Sequence, residues 1–474
     1  MNGINERMMG PDLLSTAGEI GEMLSLRLSP AEIPDTGMPG TGIPRNGERT
    51  LAVQVVTTED DFSALRDVWN ALAAESQSTI FQTFDWQFLW WKHYKSDPSR
   101  SLRILVLRDQ DTVVGIFPLF HEQVKACGVK ISSRLRMLGC GVPMSGYPAL
   151  FSDFGVSDYL SPLILPGYHK DMILTLTDFY KKGTTVFDEC LLENVPASDG
   201  IIRDFMPELQ KLGYQCSTIM ADVCPRISVP KSIEEYKQKL KPQIRRQVNQ
   251  VHKALGSMYE IVPMNTPEEI NYAFQQLMSM HQQRWNELGY PGLFADSRFE
   301  QFQRELLPKF HAEGKLWCKI VRAGDTCIAV RIGYIFGRKL YDYLSGFDIH
   351  SPEAKRRPGN ALLLAMIGDA ASMGLETVDL LRGDEAYKSD FADRQSSNFH
   401  VRIVFPQERP LHRKLIDTVA RGISHVYDLA EKEFTLLKIQ FRVHGVFRGA
   451  VNFIRFRFDR LVGKVRSVNR KNLD

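Results

Sequence analysis

The sequence lacks the features that mark disulfide-bonded, secreted and membrane-spanning proteins. Its 474 residues include only seven cysteines, an odd number, and no two of them are spaced as Cys-x-x-Cys. This argues against a disulfide framework or a zinc site and favours a reducing compartment. The first thirty residues have no continuous apolar core of the kind a secretion signal needs, and no apolar run reaches about 18 residues. We therefore expect a cytoplasmic protein.

The charge of the chain is distributed unevenly. The net charge is +3, yet residues 401–474 contain 16 lysines and arginines against 7 acidic residues, and Phe434–Asp474 alternates bulky apolar residues with basic ones. Such a segment can lie on an anionic membrane surface, which would place the protein peripherally on the inner membrane. It can equally be a helix that packs on the preceding domain and exposes a basic face, and the sequence leaves both interpretations open.

Length and hydrophobic periodicity divide the chain into four regions. A chain of this length exceeds the size at which a single core stops growing, so two folded domains are expected. Residues 1–49, rich in Gly, Pro and Ser, are predicted to be a flexible leader. Residues 50–228 and 229–404 are predicted to be the two domains, and residues 405–474 a basic amphipathic helical tail.

The two predicted domains repeat one order of elements, with helices first and a meander of strands after them. In the first domain, the pattern predicts a strand at Leu51–Val56, two amphipathic helices and a hairpin that turns at Arg108–Asp111. In the second, a basic helix over Ser232–Gly256 precedes a strand, two helices, three strands, a further helix and a last strand ending at Leu381. The repeated order predicts an α+β fold of two tandem domains, each a mixed central sheet flanked by helices.

A basic segment that contains glycine opens the last long helix of the second domain. Arg356, Gly359 and Ala361 stand at the spacing R-x-x-G-x-A before apolar helical residues, and Arg357 and Asn360 lie between them. The amides at a helix N-terminus carry partial positive charge, glycine lets an anion approach, and arginine pairs with phosphate. These residues are therefore predicted to bind a pyrophosphate such as that of coenzyme A. The alternative is an ordinary helix start behind a solvated basic loop.

The segment "DLLRGDEAYKSDF", Asp379–Phe391, leaves the next predicted strand in a cluster of charge. Side chains at the ends of adjacent strands face a common cleft. The residues that this arrangement would bring together are Asp342, Asp348, Asp384, Glu385, Tyr387 and Lys388. A carboxylate there can deprotonate an attacking amine or hydroxyl, and a tyrosine can return a proton to a leaving thiolate. The alternative is a solvated turn in which Glu385 and Lys388 form a surface pair at a spacing of three.

Together these segments resemble a known family. "YDYLSGFD", "RRPGNALL" and "LLRGDEAYKSDF" are similar, in this order, to the C-terminal half of the acetyltransferase family associated with bacterial cellulose biosynthesis, the CelD/BcsL type. The segment "RGDEAYK" is the most specific match. That family is related to the GCN5-related N-acetyltransferases (GNAT) and, in its doubled form, to the Fem aminoacyltransferases of peptidoglycan synthesis.

The resemblance implies two tandem acyltransferase folds and an acyl donor bound through its pyrophosphate. The donor would be acetyl-CoA or another acyl-CoA, used as a co-substrate and not as a permanently bound cofactor. The acceptor would be an amine or hydroxyl of a small molecule or of a precursor in exopolysaccharide or cell-envelope glycan biosynthesis. Carried over residue by residue, the resemblance makes Tyr387 the general acid and Asp342 a candidate base, with Glu385 and Lys388 beside them.

One departure and two alternatives accompany this interpretation. Pro358 differs from the residue found in most such loops and removes one N–H donor. Fem-type relatives use aminoacyl-tRNA instead of acyl-CoA, so an aminoacyltransferase is one alternative function. The other is a non-catalytic scaffold that binds a polysaccharide-synthesis complex through the basic tail.

Other candidate sites have simpler explanations. Phe84, Trp86 and Trp90 could stack on a sugar, but aromatic residues at helical spacing are more often core. The basic helix Ser232–Gly256 is typical of a solvated face, so no nucleic-acid partner is expected outside the aminoacyl-tRNA alternative. His281 has no companions at metal-ligand spacing, so no metal is expected.

Overall fold

The computed structural model describes residues 49–405 except 77, 96–98, 127–128, 142–155, 183–186 and 288–291. The predicted leader and the predicted basic tail lie outside the described residues, apart from residues 49 and 405. We call residues 50–228 the N-half and residues 229–404 the C-half; these limits remain predictions.

The N-half begins with a strand and helices and continues mainly as strands. Its strands are β1 (Ala52–Val56), β2 (Arg100–Leu102), β3 (Ile104–Asp109), β4 (Thr112–Phe117), β5 (Leu119–Ala126), β6 (Val129–Met137), β7 (Leu163–Ile164), β8 (Glu189–Pro196) and β9 (Gln215–Ser228). Its helices are α1 (Glu59–Ala64), α2 (Arg66–Glu75), α3 (Phe84–Tyr94), α4 (His169–Lys182) and α5 (Met206–Lys211). The predicted hairpin is confirmed, because β3 and β4 pair antiparallel up to Asp109↔Thr112.

The C-half follows the predicted order of elements. Its strands are β10 (Glu260–Pro263), β11 (Leu316–Ala323), β12 (Thr326–Phe336), β13 (Lys339–Phe347), β14 (Thr377–Asp379) and β15 (Arg394–Val404). Its helices are α6 (Ile233–Lys239), α7 (Pro242–Ala254), α8 (Pro267–Glu287), α9 (Ser297–Ala312), α10 (Pro358–Ser372) and α11 (Ala386–Phe391). The three predicted meander strands are confirmed as β11, β12 and β13.

The prediction of a single basic helix over Ser232–Gly256 is wrong, because the chain forms two helices there. Leu240 and Lys241 are extended, with ψ of 147° and 145°, and separate α6 from α7. Proline disfavours helical backbone in the residue before it, and Pro242 tolerates its missing N–H at the first position of the new helix.

The two halves share one large sheet because they exchange their last strands. Within the described residues, the strand order is β10-β11-β12-β13-β14-β9-β15-β8-β6-β5-β2. Strand β9, the end of the N-half, pairs with β14 of the C-half. Strand β15, the end of the C-half, pairs with β8 of the N-half and with β9 at the centre of the sheet. A second sheet has the order β1-β3-β4-β7. The predicted mixed α+β fold is confirmed, and the structure adds that the two halves are joined by their main sheet.

Among the described residues, each half contains one pair of parallel strands joined by a crossover that includes a helix. In the N-half, β6 and β8 pair from Arg134↔Glu189 to Arg136↔Leu191, and α4 lies between them in the chain. In the C-half, β13 and β14 pair over three residues, and α10 lies between them. Each pair is followed by a short helix and then by the exchanged strand. This repetition agrees with a duplicated unit.

Two clusters of buried apolar side chains cover the two faces of the C-half sheet. Side chains of α8, α9 and the N-half form the first cluster, and side chains of α6, α7 and α10 form the second. Neighbouring residues of β11 alternate between the clusters, with Trp317 in the second and Cys318 in the first. The prediction that the aromatic residues of α3 are core is confirmed, since Phe84, Trp86 and Trp90 are fully buried. Within the described part of the chain, no helix is long and apolar enough to cross a membrane.

Candidate active site

A gap opens between β13 and β14 where their parallel pairing stops. The last paired residues are Tyr341 and Asp379. Beyond them, the chain after β14 stays with β9, because the N–H of Gly383 donates to the carbonyl of Val223 at 3.0 Å. The two parallel strands therefore diverge at the place where the sequence predicts a cleft.

A β-bulge in β13 lies at the same point. Asp342 is opposite Gly333 of β12 and Leu344 is opposite Ile332, so Tyr343 has no residue directly across from it. An extra residue on one strand bends that strand and increases its twist. The bulge thus accompanies the divergence of β13 from β14.

Helix α10 begins beside this gap. Arg357 has a left-handed backbone with φ of 55°, and Pro358 is the first residue of the helix. The carbonyl of Arg357 accepts the N–H groups of Asn360 at 2.9 Å and Ala361 at 3.3 Å. Within the described ranges, the N–H of Gly359 has no acceptor. Because Pro358 has no N–H, the start of the helix offers one unbonded amide.

The surroundings of that amide fit an anion. Arg356 and Arg357 are exposed, and neither has an ion pair with the described residues. The first turn of α10 contains no acidic residue. A Cβ added to Gly359 would meet only the Phe347 ring, at 4.0 Å, and the backbone there is not left-handed, so the protein's own packing does not require glycine. Ala361 is buried and can contribute only packing.

Arg331 of β12 joins the start of α10 to the gap. Its guanidinium forms an ion pair with the carboxylate of Asp342, and both side chains are about 4% exposed. Its Nη2 also donates to the carbonyl of Gly359 at 3.2 Å. Burial raises the pKa of Asp342, and the charge of Arg331 opposes this shift. The predicted base and the predicted anion-binding glycine thus share one buried arginine.

Tyr387, at the start of α11, lies in the same group of side chains. It is half-buried and packs against the second core cluster. Burial raises the pKa of its phenol, the charge of Asp342 adds to this rise, and Arg331 opposes it through its charge and a hydrogen bond. The phenol therefore stays protonated at neutral pH, as a proton donor must.

Glu385 and Lys388 hold the turn at Gly383. Lys388 donates to the carbonyl of Arg382 and lies 3.0 Å from Glu385 Oε2, and its side chain is only 7% exposed. Gly383 has φ of 123°, and a Cβ there would lie 2.1 Å from Glu385 Oε2 and 2.9 Å from Lys388 Nζ. The pair is thus more buried than a solvated surface pair, and it fixes the glycine turn. A catalytic role for either residue stays a prediction.

Two other predicted acids are not part of this group. Asp348 accepts the N–H of His350 at 2.8 Å, at the exit of β13, and Asp384 is exposed. No bond from either carboxylate to Asp342 or Tyr387 is present in the part of the chain that the structure describes. The same part contains no cluster of His, Cys, Asp and Glu able to hold a metal ion.

The N-half supplies one wall of the gap, which the sequence did not indicate. The Tyr159 hydroxyl donates to Asp379 Oδ1 at 2.7 Å, and Asp158 Oδ1 lies 3.3 Å from Arg382 Nε. The Tyr343 hydroxyl donates to the carbonyl of Val156 at 2.7 Å. The segment Val156–Tyr159 therefore binds both diverging strands of the C-half.

Arg331, and Asp222, which precedes the residue that accepts the N–H of Gly383, lie beside the gap and were missed by sequence reasoning. Arg331 had a signal, since it is the lone charge in the apolar run "TCIAVRIGYIF", and a charged residue in a buried strand needs a partner. No sequence signal marks Asp222 of β9, because its position beside the gap depends on the exchange of strands between the halves.

Comparison with known proteins assigns a family to part of this region. Residues 238–389 match a family model described as "Acetyltransferase (GNAT) domain". The matched segment contains the start of α10, Arg331, Asp342 and Tyr387, and it covers about a third of the chain. The predicted GNAT-type acetyltransferase domain is confirmed over these residues. No curated protein matches the chain.

Solved structures with a similar fold are distant in sequence. The structure titled FemX has 13% identity and a TM-score of 0.49, and the match covers 73% of this chain and 96% of that one. L-PGS from Bacillus licheniformis has 9% identity and a TM-score of 0.42, with 80% and 99% covered. A tandem GNAT protein from the clavulanic acid biosynthesis pathway has 11% identity and a TM-score of 0.40, with 75% and 100% covered.

Proposed function

We propose that this protein is an acyltransferase that moves an acyl group from an acyl-CoA thioester to an amine or hydroxyl acceptor. One observation carries the proposal: inside the segment that matches a GNAT domain, Arg331 links Gly359 at the helix start to Asp342 at the strand gap. Arg331 thereby holds Gly359, which would bind the anionic donor, next to Asp342, which would take part in proton transfer.

The donor's pyrophosphate would bind at the start of α10. Arg356 and Arg357 supply charge-assisted hydrogen bonds, and the unbonded N–H of Gly359 points to a direct backbone contact. Asn360 is half-buried in the same turn and can add a side-chain contact. Pro358 leaves fewer amides than a helix start normally offers, so the two arginines carry a larger share of the affinity.

The chemistry needs little more than positioning and proton management, because a thioester is an activated acyl donor. The acceptor attacks the carbonyl carbon, the C–S bond breaks, and the thiolate takes a proton from Tyr387. The pKa of a tyrosine lies above the neutral range even without the rise that burial causes, so Tyr387 carries that proton at neutral pH.

The finer assignment rests on the resemblance to the CelD/BcsL type. On that basis the acyl group is acetyl, the acceptor is an amine or hydroxyl of an exopolysaccharide or cell-envelope glycan precursor, and the protein works in the cytoplasm. The basic segment after residue 405 is the part of the chain suited to peripheral contact with the inner membrane.

Calorimetric binding of desulfo-CoA and acetyl-CoA tests the donor. The double variant Arg356→Ala, Arg357→Ala should weaken binding of both about tenfold to a hundredfold, because two charge-assisted contacts to phosphate are removed. The matched control is Arg246→Ala, which removes an exposed arginine from α7. Unchanged affinity in the double variant contradicts the assigned donor site.

Two outcomes would redirect the assignment. Binding of aminoacyl-tRNA with no binding of any CoA ester would favour the aminoacyltransferase alternative. Binding of neither donor would favour the scaffold.

A further inference from the structure

The exchanged strand β9 brings a carboxylate of the N-half to the gap of the C-half. Asp222 precedes Val223, whose carbonyl accepts the N–H of Gly383, so Asp222 lies next to the "RGDEAYK" turn. Its side chain is half-buried. Within the described ranges, no hydrogen bond or ion pair engages its carboxylate.

Asp222 lies on the face of β9 that the N-half covers. Alternate residues of a strand share a face, so Asp222 shares one with Cys224 and Arg226. Cys224 belongs to the first core cluster, whereas Ile227 belongs to the second, which α10 helps to form. The guanidinium of Arg226 lies 5.1 Å from the centre of the Tyr159 ring of the N-half. Asp222 therefore faces away from α10.

The charged groups around Asp222 come from both halves. They are Arg382, Lys388 and Glu385 of the C-half and Asp158 of the N-half. Arg382 is paired with Asp158 and Lys388 with Glu385, so these four charges have partners of their own. Burial raises the pKa of Asp222 to about 6; Arg382 opposes this rise, and Asp158 adds to it. At neutral pH such a carboxylate is mostly ionised yet basic enough to accept a proton.

We propose that Asp222 is the general base of the acyl transfer and takes the proton of the acceptor on the face that the N-half covers. This inference rests on the proposed acyltransferase function. It assigns the base to a residue outside the segment that matches the GNAT domain. Asp342, the base suggested by the resemblance, would instead position Tyr387 and Arg331, because its carboxylate is buried in an ion pair.

The proposed step is balanced in protons and bonds. The acceptor nitrogen or oxygen forms a bond to the thioester carbonyl carbon and gives its proton to Asp222. The C–S bond breaks, and the sulfur takes the proton of Tyr387, which packs against the second core cluster. Both groups regain their starting states by proton exchange with water. Base and acid thus lie on different sides of the gap, as the acceptor and the leaving thiol must.

The test compares Asp222→Asn with the full-length native chain, using acetyl-CoA and two kinds of acceptor. Hydroxylamine is a strong nucleophile that needs no base at neutral pH. The second acceptor is whichever of glucosamine, ethanolamine and lysine the native protein acetylates fastest. Release of the CoA thiol is followed from pH 5 to 9. The control is Asp390→Asn, in α11, whose carboxylate lies 3.8 Å from Lys241 Nζ.

We expect Asp222→Asn to lower kcat/KM for the second acceptor about a hundredfold at pH 7. We expect a loss of less than tenfold with hydroxylamine, and unchanged affinity for desulfo-CoA. The native protein should lose activity as the pH falls through about 6, since Asp222 then binds a proton. The pH–activity profile of the variant should not show this fall. The inference would be overturned if the variant lost activity equally with both acceptors or kept the fall of activity near pH 6. It would also be overturned if the native protein acetylated hydroxylamine alone. A native protein that uses neither acceptor and binds no CoA ester refutes the acyltransferase itself.

A second measurement does not depend on the acceptor. The infrared carboxylate band that disappears in Asp222→Asn should titrate near pH 6 in the native protein, because the group is half-buried. A band that titrates below pH 4.5 overturns the inference, whatever the activity of the folded variant.

Discussion

In each half the parallel strands pair over three residues, up to Arg136↔Leu191 in the N-half and up to Tyr341↔Asp379 in the C-half, but the places beyond the last pair, the N-half gap and the C-half gap, are bordered differently. In the N-half, Arg136 of β6 forms an ion pair with Glu193 of β8, and both are about 1% exposed. Arg136 also donates to the carbonyl of Gly141 at 2.7 Å, and Glu193 accepts the N–H of Gly141 at 2.9 Å. These bonds connect β6 to β8 across the N-half gap, whereas the buried pair of the C-half, Arg331–Asp342, joins β12 to β13 on one side of its gap.

The starts of helices α4 and α10 also differ in charge, and the N-half helix is the one with an acidic residue in its first turn. Helix α4 of the N-half has Asp171 in its first turn, and this buried carboxylate accepts the N–H of Arg49 at 3.1 Å. Helix α10 has no acid in its first turn, and Arg356 and Arg357 precede it. Although His169 and Lys170 open α4, the Asp171 carboxylate lies near its positive end and weakens the attraction for a phosphate there.

The comparison concerns one scaffold used twice in the chain. The N-half keeps the strands and the crossover, and a buried ion pair of its own joins its parallel strands. The N-half also contacts the C-half gap through Tyr159, and its exchanged strand carries Asp222, the base proposed above. The following predictions alter one half at a time.

The largest effect is expected from breaking the buried network of the N-half. Glu193→Ala leaves Arg136 buried without its main partner, so the free energy of unfolding should fall by about 3–5 kcal/mol. Chemical denaturation measures this loss. At denaturant concentrations below the new unfolding transition, affinity for desulfo-CoA should be unchanged, because the proposed donor site lies in the C-half.

The control for this change removes both charges together. Arg136→Met with Glu193→Leu should lose less stability than Glu193→Ala alone, since Glu122, the other partner of Arg136, stays paired with Arg100. A loss below about 1 kcal/mol in Glu193→Ala would show that the network does not stabilise the N-half.

A smaller effect, confined to catalysis, is expected in the C-half. Tyr387→Phe removes the proposed proton donor and should lower kcat about a hundredfold, while the dissociation constant of desulfo-CoA stays the same. Steady-state kinetics and calorimetry measure the two quantities. Tyr272→Phe, an exposed tyrosine of α8, is the control. Loss of both turnover and donor binding, or of neither, contradicts the role of Tyr387 as acid.

Local patterns were sufficient to predict much of the fold and the C-half side of the site. The β3–β4 hairpin, the β11–β13 meander and helix α10 have strong apolar periodicity and clear turn residues, so neighbouring residues decide them. The same holds for the start of α10 and for Tyr387, which follow strands along the chain. Pro242 also carried enough information to predict the break between α6 and α7.

Distant pairings account for what the sequence did not reveal. Strand β6 contains buried serines and arginines, including Ser133 and Arg136, so it lacks the apolar pattern of a core strand. The exchange of β9 pairs Arg226 with Asp379, and no local pattern reports a contact between residues so far apart. Asp222 was therefore missed although its chemistry is ordinary, because only the tertiary fold brings it to the gap.

The smallest expected effect separates the two reasons why the N-half should not bind a donor. Asp171→Asn removes the charge at the start of α4 and should lower stability by only about 0.3–1 kcal/mol, since one interaction with the helix dipole is lost. If that carboxylate alone kept a donor away, the variant would bind two molecules of desulfo-CoA per chain in calorimetry. We expect one bound molecule per chain, because Arg136 and Glu193 still connect β6 to β8 across the N-half gap and no arginine precedes α4 as Arg356 and Arg357 precede α10. Two bound molecules per chain would mean that the charge at the helix start, and not the bonds across the N-half gap, distinguishes the halves.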